Sequence, residues 1–289
     1  MRYYWGSSVF GEAMPLFAST SQPGRALSRF SVGPPKFVEF LVMAGGGGRG
    51  GSAGPFYYER YKPWRTEFPG SCQPHYLGAV AGSPGGGGGY ISSVIGELSG
   101  RNSTPQTVLE PLAGVAYPIS IGTQGGDASN GNGGKGGNTT AFGFTAQGGG
   151  GGGRPCCCNG SNGGSGGSGG AGGGGLPCGS CAGCSGDSNC GSSAPGAGTS
   201  GQGFPGSGAE AGGAGGAPAG IFSSITGTSI QYSAGYGVST YGSTGRPGAV
   251  ILRYKGADPE VSAGLSYTLD TVGANQVMII KAGTGTITW

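Results

Sequence analysis

Eight cysteines are the residues in this chain best equipped for chemistry: Cys72, Cys156, Cys157, Cys158, Cys178, Cys181, Cys184 and Cys190. Cys178, Cys181 and Cys184 follow the C-x2-C-x2-C spacing that ligates iron–sulfur clusters, and zinc sites use the same C-x2-C pairs. A cluster needs a fourth ligand, which Cys190 or one of Cys156–Cys158 could supply. The count is even, and an oxidising exterior would favour structural disulfides that pin loops with little core of their own. Three consecutive cysteines cannot readily all bridge to one another, so disulfides would require at least two distant partners. Free thiols are the third reading. The spacing leaves these alternatives open, and no metal or other cofactor is assigned.

His75 is the only histidine, so a Ser/His/Asp or Cys/His arrangement would have to pass through it. It stands three residues after Cys72, with Glu59 and Glu67 nearby in sequence, and a loop histidine more often stacks or meets solvent than acts as a base. The acidic residues are scattered, with no spacing that suggests a glycosidase pair. Many glycine patterns resemble a dinucleotide fingerprint, but none has the flanking strand, helix and acidic residue that the site requires. Gly133-Gly134-Lys135-Gly136 lacks the Ser/Thr and helix of a phosphate loop. The expectation is a protein that is not an enzyme and has no catalytic residue.

Recognition is the better prospect. The insert Pro55–Tyr76 is dense in aromatic and basic residues, and Tyr, Trp and Arg dominate interfaces because they bury area at small entropic cost. Tyr57, Tyr58, Arg60, Tyr61, Trp64, Arg65, Phe68, His75 and Tyr76 are the candidate receptor or partner contacts. Aromatic faces also stack on sugar rings, which would suit a surface glycan. The plainer alternative is a local core, or a pad against a neighbouring subunit.

The elements that must hold these residues are built from very little side chain. Glycine accounts for 74 of the 289 residues and proline for 19. Such a composition without a strict repeat normally reads as low complexity or disorder. Disorder usually brings high net charge as well, whereas this chain has a net charge of +3. The near-neutral balance excludes a charge-driven nucleic-acid partner. No apolar run approaches a membrane span, and the first 30 residues lack an apolar signal core. Neither membrane insertion nor a signal peptide is expected.

Short β-forming runs punctuate the glycine: Phe37–Met43, Tyr90–Ile95, Thr107–Leu109, Ala116–Ile121, Ile221–Tyr232 and Ala249–Tyr254. The core glycine tract covers about 122–220. Ordered glycine loses the most backbone entropy, so a folded tract must pair its own N–H and C=O groups between closely packed chains. Polyproline-II helices have three residues per turn and free backbone groups, and close lateral approach requires glycine. The irregular register argues against collagen. The fold expected is all-β with a glycine-rich polyproline-II helix bundle and little or no α-helix. Three parts are expected: a docking or oligomerisation segment at 1–32, a glycine-rich domain at 33–255, and a small separate β unit at 257–289. In the last part, strands at Tyr267–Leu269, Gln276–Ile280 and Thr284–Trp289 are split by turns at Gly273-Ala274-Asn275 and Gly283.

Four phrases carry a resemblance. They are Val38–Gly48, running from strand into polyglycine; Pro118–Gly126; Ser223–Tyr232; and Gly248–Tyr254. Together, in this order over about 33–255, they resemble the glycine-rich domain of bacteriophage tail and fibre proteins. The insert at Pro55–Tyr76 and the cysteine loops depart from that pattern. The resemblance implies a virion protein, as a tail-fibre or tail-tip adhesin recognising the host surface, and localises it to the virion exterior. It implies other virion tail proteins as partners, a homo-oligomer or attachment to an oligomeric fibre, and a host glycan or outer-membrane protein as receptor. A purely structural baseplate, neck or capsid decoration protein is the alternative.

Overall fold

The computed structural model describes residues 33–52, 56–60, 73–77, 81–155, 160–174, 193–208, 220–235 and 240–289, with backbone alone for 56–60 and 73–77. Residues 33–289 form one compact unit. The expected segment at 1–32 lies outside the described residues, as do all eight cysteines.

The architecture is all-β, as the sequence leads one to expect. Among the described residues the only helical element is a 3-10 turn at Gly100–Asn102. The main sheet joins β1 (Val38–Met43), β4 (Tyr90–Ser92), β5 (Ala116–Ser120), β6 (Thr139–Ala141), β7 (Phe144–Ala146), β10 (Ala249–Tyr254) and β13 (Asn275–Thr288). Their order is β4-β1-β10-β13-β5-β6-β7, and β11 (Glu260–Val261) and β12 (Leu265–Val272) pair with β13 beside this path. The two ends meet where Gly89, just before β4, donates to the carbonyl of Gln147, just after β7. The sheet thus curls into a nearly closed barrel. Two hairpins stand apart from it: β2 (Phe56–Arg60) with β3 (Gln73–Leu77), and β8 (Ile221–Ser223) with β9 (Ile230–Tyr232).

β1 and β10 pair antiparallel along their whole length, from Val38 opposite Tyr254 to Met43 opposite Ala249. Both read as mostly apolar runs, interrupted only by Glu39 and Arg253, because both faces are covered. Val38, Phe40, Val42, Val250 and Leu252 face the barrel interior with Ile119, Met278, Ile280 and Ile287. Leu41, Met43, Ala249 and Ile251 face the other way, against Tyr90, Ile225 and Tyr232. Each such side chain contributes about 1.5–3 kcal/mol on full burial. An aromatic chain fills the barrel: Phe40 lies 5.4 Å from Phe142 and 5.5 Å from Phe144, and Trp289 lies 5.8 Å from Tyr117. The β6–β7 turn is Phe142-Gly143, with φ of 53° and 79°, the positive pair that two-residue hairpins favour.

Two expectations need correction. Residues 257–289 are not a separate unit, because β13 pairs with β10 through Gln276–Ile280 and with β5 through Thr284–Thr288. Gly283, read as a break, takes a φ of 100° within one continuous strand. Thr107–Leu109 is not a strand either; Leu109 makes only an isolated bridge to Val38.

The glycine runs that leave β1, enter β4 and leave β7 carry neither helix nor strand, yet their backbone groups are paired. In 44–52, the N–H groups of Ala44, Gly47 and Gly50 donate to the carbonyls of Gly89, Gly86 and Ser83. Those of Gly45, Gly48 and Gly51 donate to Gly137, Gly134 and Gly131, and all six distances fall between 2.8 and 3.0 Å. Gly46 donates to Arg246, while the N–H of Arg49 finds Asp127 Oδ1. Each neighbour therefore recurs every third residue. The same period holds in 147–155, where Gly149 and Gly152 donate to 44–52 and Gly150 and Gly153 to 168–174. The chains approach so closely that a Cβ on Gly45 would overlap the Thr123 carbonyl, and one on Gly150 the Gly164 carbonyl. Neither glycine has a positive φ. They are glycine for space, not for dihedral freedom.

Candidate functional site

Hydrogen-bond registers fix the direction of each glycine chain. Run 147–155 is parallel to 44–52, through Gly149 to Gly45 and Gly152 to Gly48. Run 168–174 is parallel to 147–155, through Gly150 to Ser168 and Gly153 to Ala171. Runs 81–89 and 160–167 are antiparallel to these, and 193–198 is parallel to 160–167. Since 44–52 starts at the barrel, Ser52, Pro155 and Gly174 all end at the face of the lattice remote from it. Ala81, Gly160 and Ser193 begin at that same face. Gly208 joins them, because 203–208 runs parallel to 168–174 through Gly169 to Phe204 and Gly172 to Ser207.

The consequence concerns every residue singled out for recognition or cysteine chemistry. Segments 53–80, 156–159 and 175–192 all leave and return at this one rim, and between them they contain the aromatic insert and all eight cysteines. Within the insert, the antiparallel β2–β3 register sets Tyr57 opposite Tyr76, Tyr58 opposite His75 and Arg60 opposite Gln73. These five candidate contacts share one hairpin. Tyr61, Trp64, Arg65 and Phe68 lie outside the described residues, as do Cys72, Cys156, Cys157, Cys158, Cys178, Cys181, Cys184 and Cys190. Among the described residues, no three His, Cys, Asp or Glu side chains converge in a way that could hold a metal ion.

The rim has chemistry that the sequence reading missed. Where a glycine chain reaches the lattice edge and lacks a neighbour, a short polar side chain takes its place. Asp127 Oδ1 accepts from the Arg49 N–H at 2.7 Å, and Asn132 Oδ1 from the Arg154 N–H at 3.1 Å. Asn162 Oδ1 accepts from the Ala194 N–H at 2.9 Å. Nearer the barrel, Asn138 Oδ1 and Gln202 Oε1 do the same for Gly148 and Gln147, each at 2.8 Å. These side chains thus pair backbone N–H groups at the edge of the lattice. The signal was available: Asp127, Asn132, Asn138 and Asn162 interrupt glycine with residues suited to bonding nearby backbone.

Among the described residues, two clefts lie on the barrel side. One, of about 460 Å³, is lined by Thr226, Ile230, Tyr232, Tyr241, Arg246 and Ile279 among others. The second, of about 350 Å³, contains the Glu39–Arg253 ion pair at 2.6 Å, with Phe37 and Ile95 beside it. Burial raises the Tyr232 and Tyr90 hydroxyls above their usual range. Tyr254 is also raised, by burial first and then by the hydrogen bond to Asp258, whose oxygen lies at 2.8 Å. All three stay protonated at neutral pH, so none offers a base.

No protein-family model, curated protein or solved structure matches the chain.

Proposed function

We propose that the protein is a virion component of a bacteriophage, a tail-fibre or tail-tip adhesin that recognises the host surface through segments at the rim remote from the barrel. The observation that carries this reading is the gathering of the inserts at one face of a backbone lattice. A backbone lattice whose described chain ends flank the aromatic insert and the cysteine segments at one face, with a side-chain barrel at the other, suits presentation of a binding tip. Conventional loops are likewise the carriers of recognition on rigid scaffolds. The resemblance of four phrases to phage glycine-rich domains supports the same reading. The recurrence of each hydrogen-bonding neighbour every third residue supports polyproline-II geometry, whose turn is three residues. On this reading the protein performs no catalytic step, and its partners are other tail proteins together with a host glycan or outer-membrane protein.

Adsorption tests the proposal. Purified protein should bind the host cells of the phage and compete with its particles. Trp64→Ala and Tyr57→Ala should each weaken that competition while particles still assemble. Protein that neither binds nor competes, with particles lacking it failing to assemble, would establish the purely structural role instead.

A further inference from the structure

β12 is a long strand whose outer edge is unpaired among the described residues. The ends of the curled sheet are tied together through Gly89 and Gln147, but β12 branches from β13 and pairs with nothing else. From Ser266 to Thr271 every residue is exposed. Tyr267 and Leu269, 46% and 43% exposed, stand two residues apart and so share one face of the strand. Natural edges are blunted with lysine, proline, a bulge or a covering element. β12 contains neither lysine nor proline, its bulge lies near its start between Ser266 and Tyr267, and Asp270 is its only charge.

The sequence of this edge is complementary to itself. Two identical strands pairing antiparallel about a twofold axis keep each sheet face continuous, so the axis must pass through a residue. An axis at Asp270 sets two carboxylates opposite each other, which is destabilising. An axis at Leu269 joins one apolar pair and leaves Tyr267 opposite Thr271. An axis at Tyr267 uses Leu265, which is already 93% buried against the barrel (7% exposed). An axis at Thr268 sets Tyr267 opposite Leu269 twice over, and each Asp270 opposite a Ser266 hydroxyl.

We propose that β12 is a homodimer interface, pairing antiparallel with β12 of a second copy about Thr268. The backbone groups of the edge are then satisfied, two aromatic–aliphatic cross-strand pairs form, and no like charges meet. The interface lies on the barrel side of the molecule, so it leaves the remote rim free. It stands whether or not that rim binds a host.

The test is sedimentation velocity on the full chain from nanomolar to high micromolar concentration, with a non-reducing gel to identify disulfide-linked species. The wild type should form a non-covalent dimer. Leu269→Lys places a charge against Tyr267 of the other copy and should raise the dissociation constant at least about tenfold. Leu269→Pro removes an N–H that, by alternation from the Val272–Asn275 pair at the hairpin turn, points away from β13, the side on which an edge strand tolerates proline, and should abolish the dimer. Circular dichroism melts check that each variant is folded; if Leu269→Pro is not, Leu269→Lys decides. A wild type that stays monomeric throughout, or a dimer that survives folded Leu269→Lys unchanged, overturns the proposal.

Discussion

The barrel and the glycine lattice are stabilised by opposite means. In the barrel, Phe40, Val42, Leu252, Met278 and Ile280 interlock inside a sheet whose backbone ladder is ordinary. In the lattice there is almost no side chain to bury, and the carbonyl of one glycine occupies the space where the Cβ of another would lie. A hydrogen bond adds a net 0.5–1.5 kcal/mol or so, against an ordering cost of about 1–2 kcal/mol per backbone residue. A lattice alone would therefore be close to break-even. It is anchored because three of its chains each meet the barrel at one end, 44–52 continuing β1, 81–89 leading into β4 and 147–155 continuing β7. The difference teaches that side-chain volume is missed when lost from one region and rejected when added to the other.

Opposite substitutions should expose that contrast. Leu252→Ala, which removes a fully buried side chain from the barrel, should cost about 3 kcal/mol as a cavity forms, measured by denaturant unfolding. Gly150→Ala, which adds one methyl to the lattice against the Gly164 carbonyl, should cost about 2 kcal/mol by overpacking. If Gly150→Ala is neutral, the close packing of the lattice is wrong.

Alkaline pH should weaken the barrel side. Tyr90, Tyr232 and Tyr254 all have hydroxyls raised from the ordinary value of 10.0, chiefly by burial. The folded state holds these protons while the unfolded chain releases them above pH 10 or so, so their contribution is complete below that pH and is lost as pH rises towards the folded values. Tyr90 and Tyr254 should then each remove about 1.4 kcal/mol per pH unit, with Tyr232 acting in the same direction. Melts between pH 9 and 11.5, with tyrosinate absorbance followed in parallel, check this, and Tyr90→Phe should flatten the slope. A stability curve level to pH 11.5 would contradict it.

The smallest effect marks the lattice boundary. Gly126 has no atom within 4 Å of an added Cβ and no positive φ. Gly126→Ala should therefore be neutral or stabilise by up to about 1 kcal/mol through reduced unfolded-state entropy. A loss like that of Gly150→Ala would mean that the lattice extends further than these contacts show.

The sequence made β1 and β10 legible because strands buried on both faces read as mostly apolar runs, and Val38–Met43 and Ala249–Tyr254 do, each broken only by one member of the Glu39–Arg253 ion pair. It misled at Gly283, where a turn residue serves as a bend inside β13. Glycine at a positive φ fits either use, and only the pairing of β13 with β10 and β5 decides between them. The direction of the glycine chains was illegible, since a glycine run has no side-chain pattern from which partner or register could be read. The shared rim of 53–80, 156–159 and 175–192 was therefore invisible until hydrogen bonds fixed those directions. The composition of the insert was legible, but the pairing of Tyr58 with His75 required the β2–β3 register.

Amide hydrogen exchange resolved at single glycines tests the folded lattice most directly. The N–H groups of Gly47, Gly86, Gly150 and Gly164 donate in turn to the carbonyls of Gly86, Gly150, Ser168 and Gly151, at 2.7–2.9 Å. Their amides should be protected to a degree comparable with those of β1 and β10, since lattice and barrel open together. Exchange at free-chain rates at these four positions, with β1 and β10 still protected, would show that the glycine chains are not paired and that the barrel stands without them.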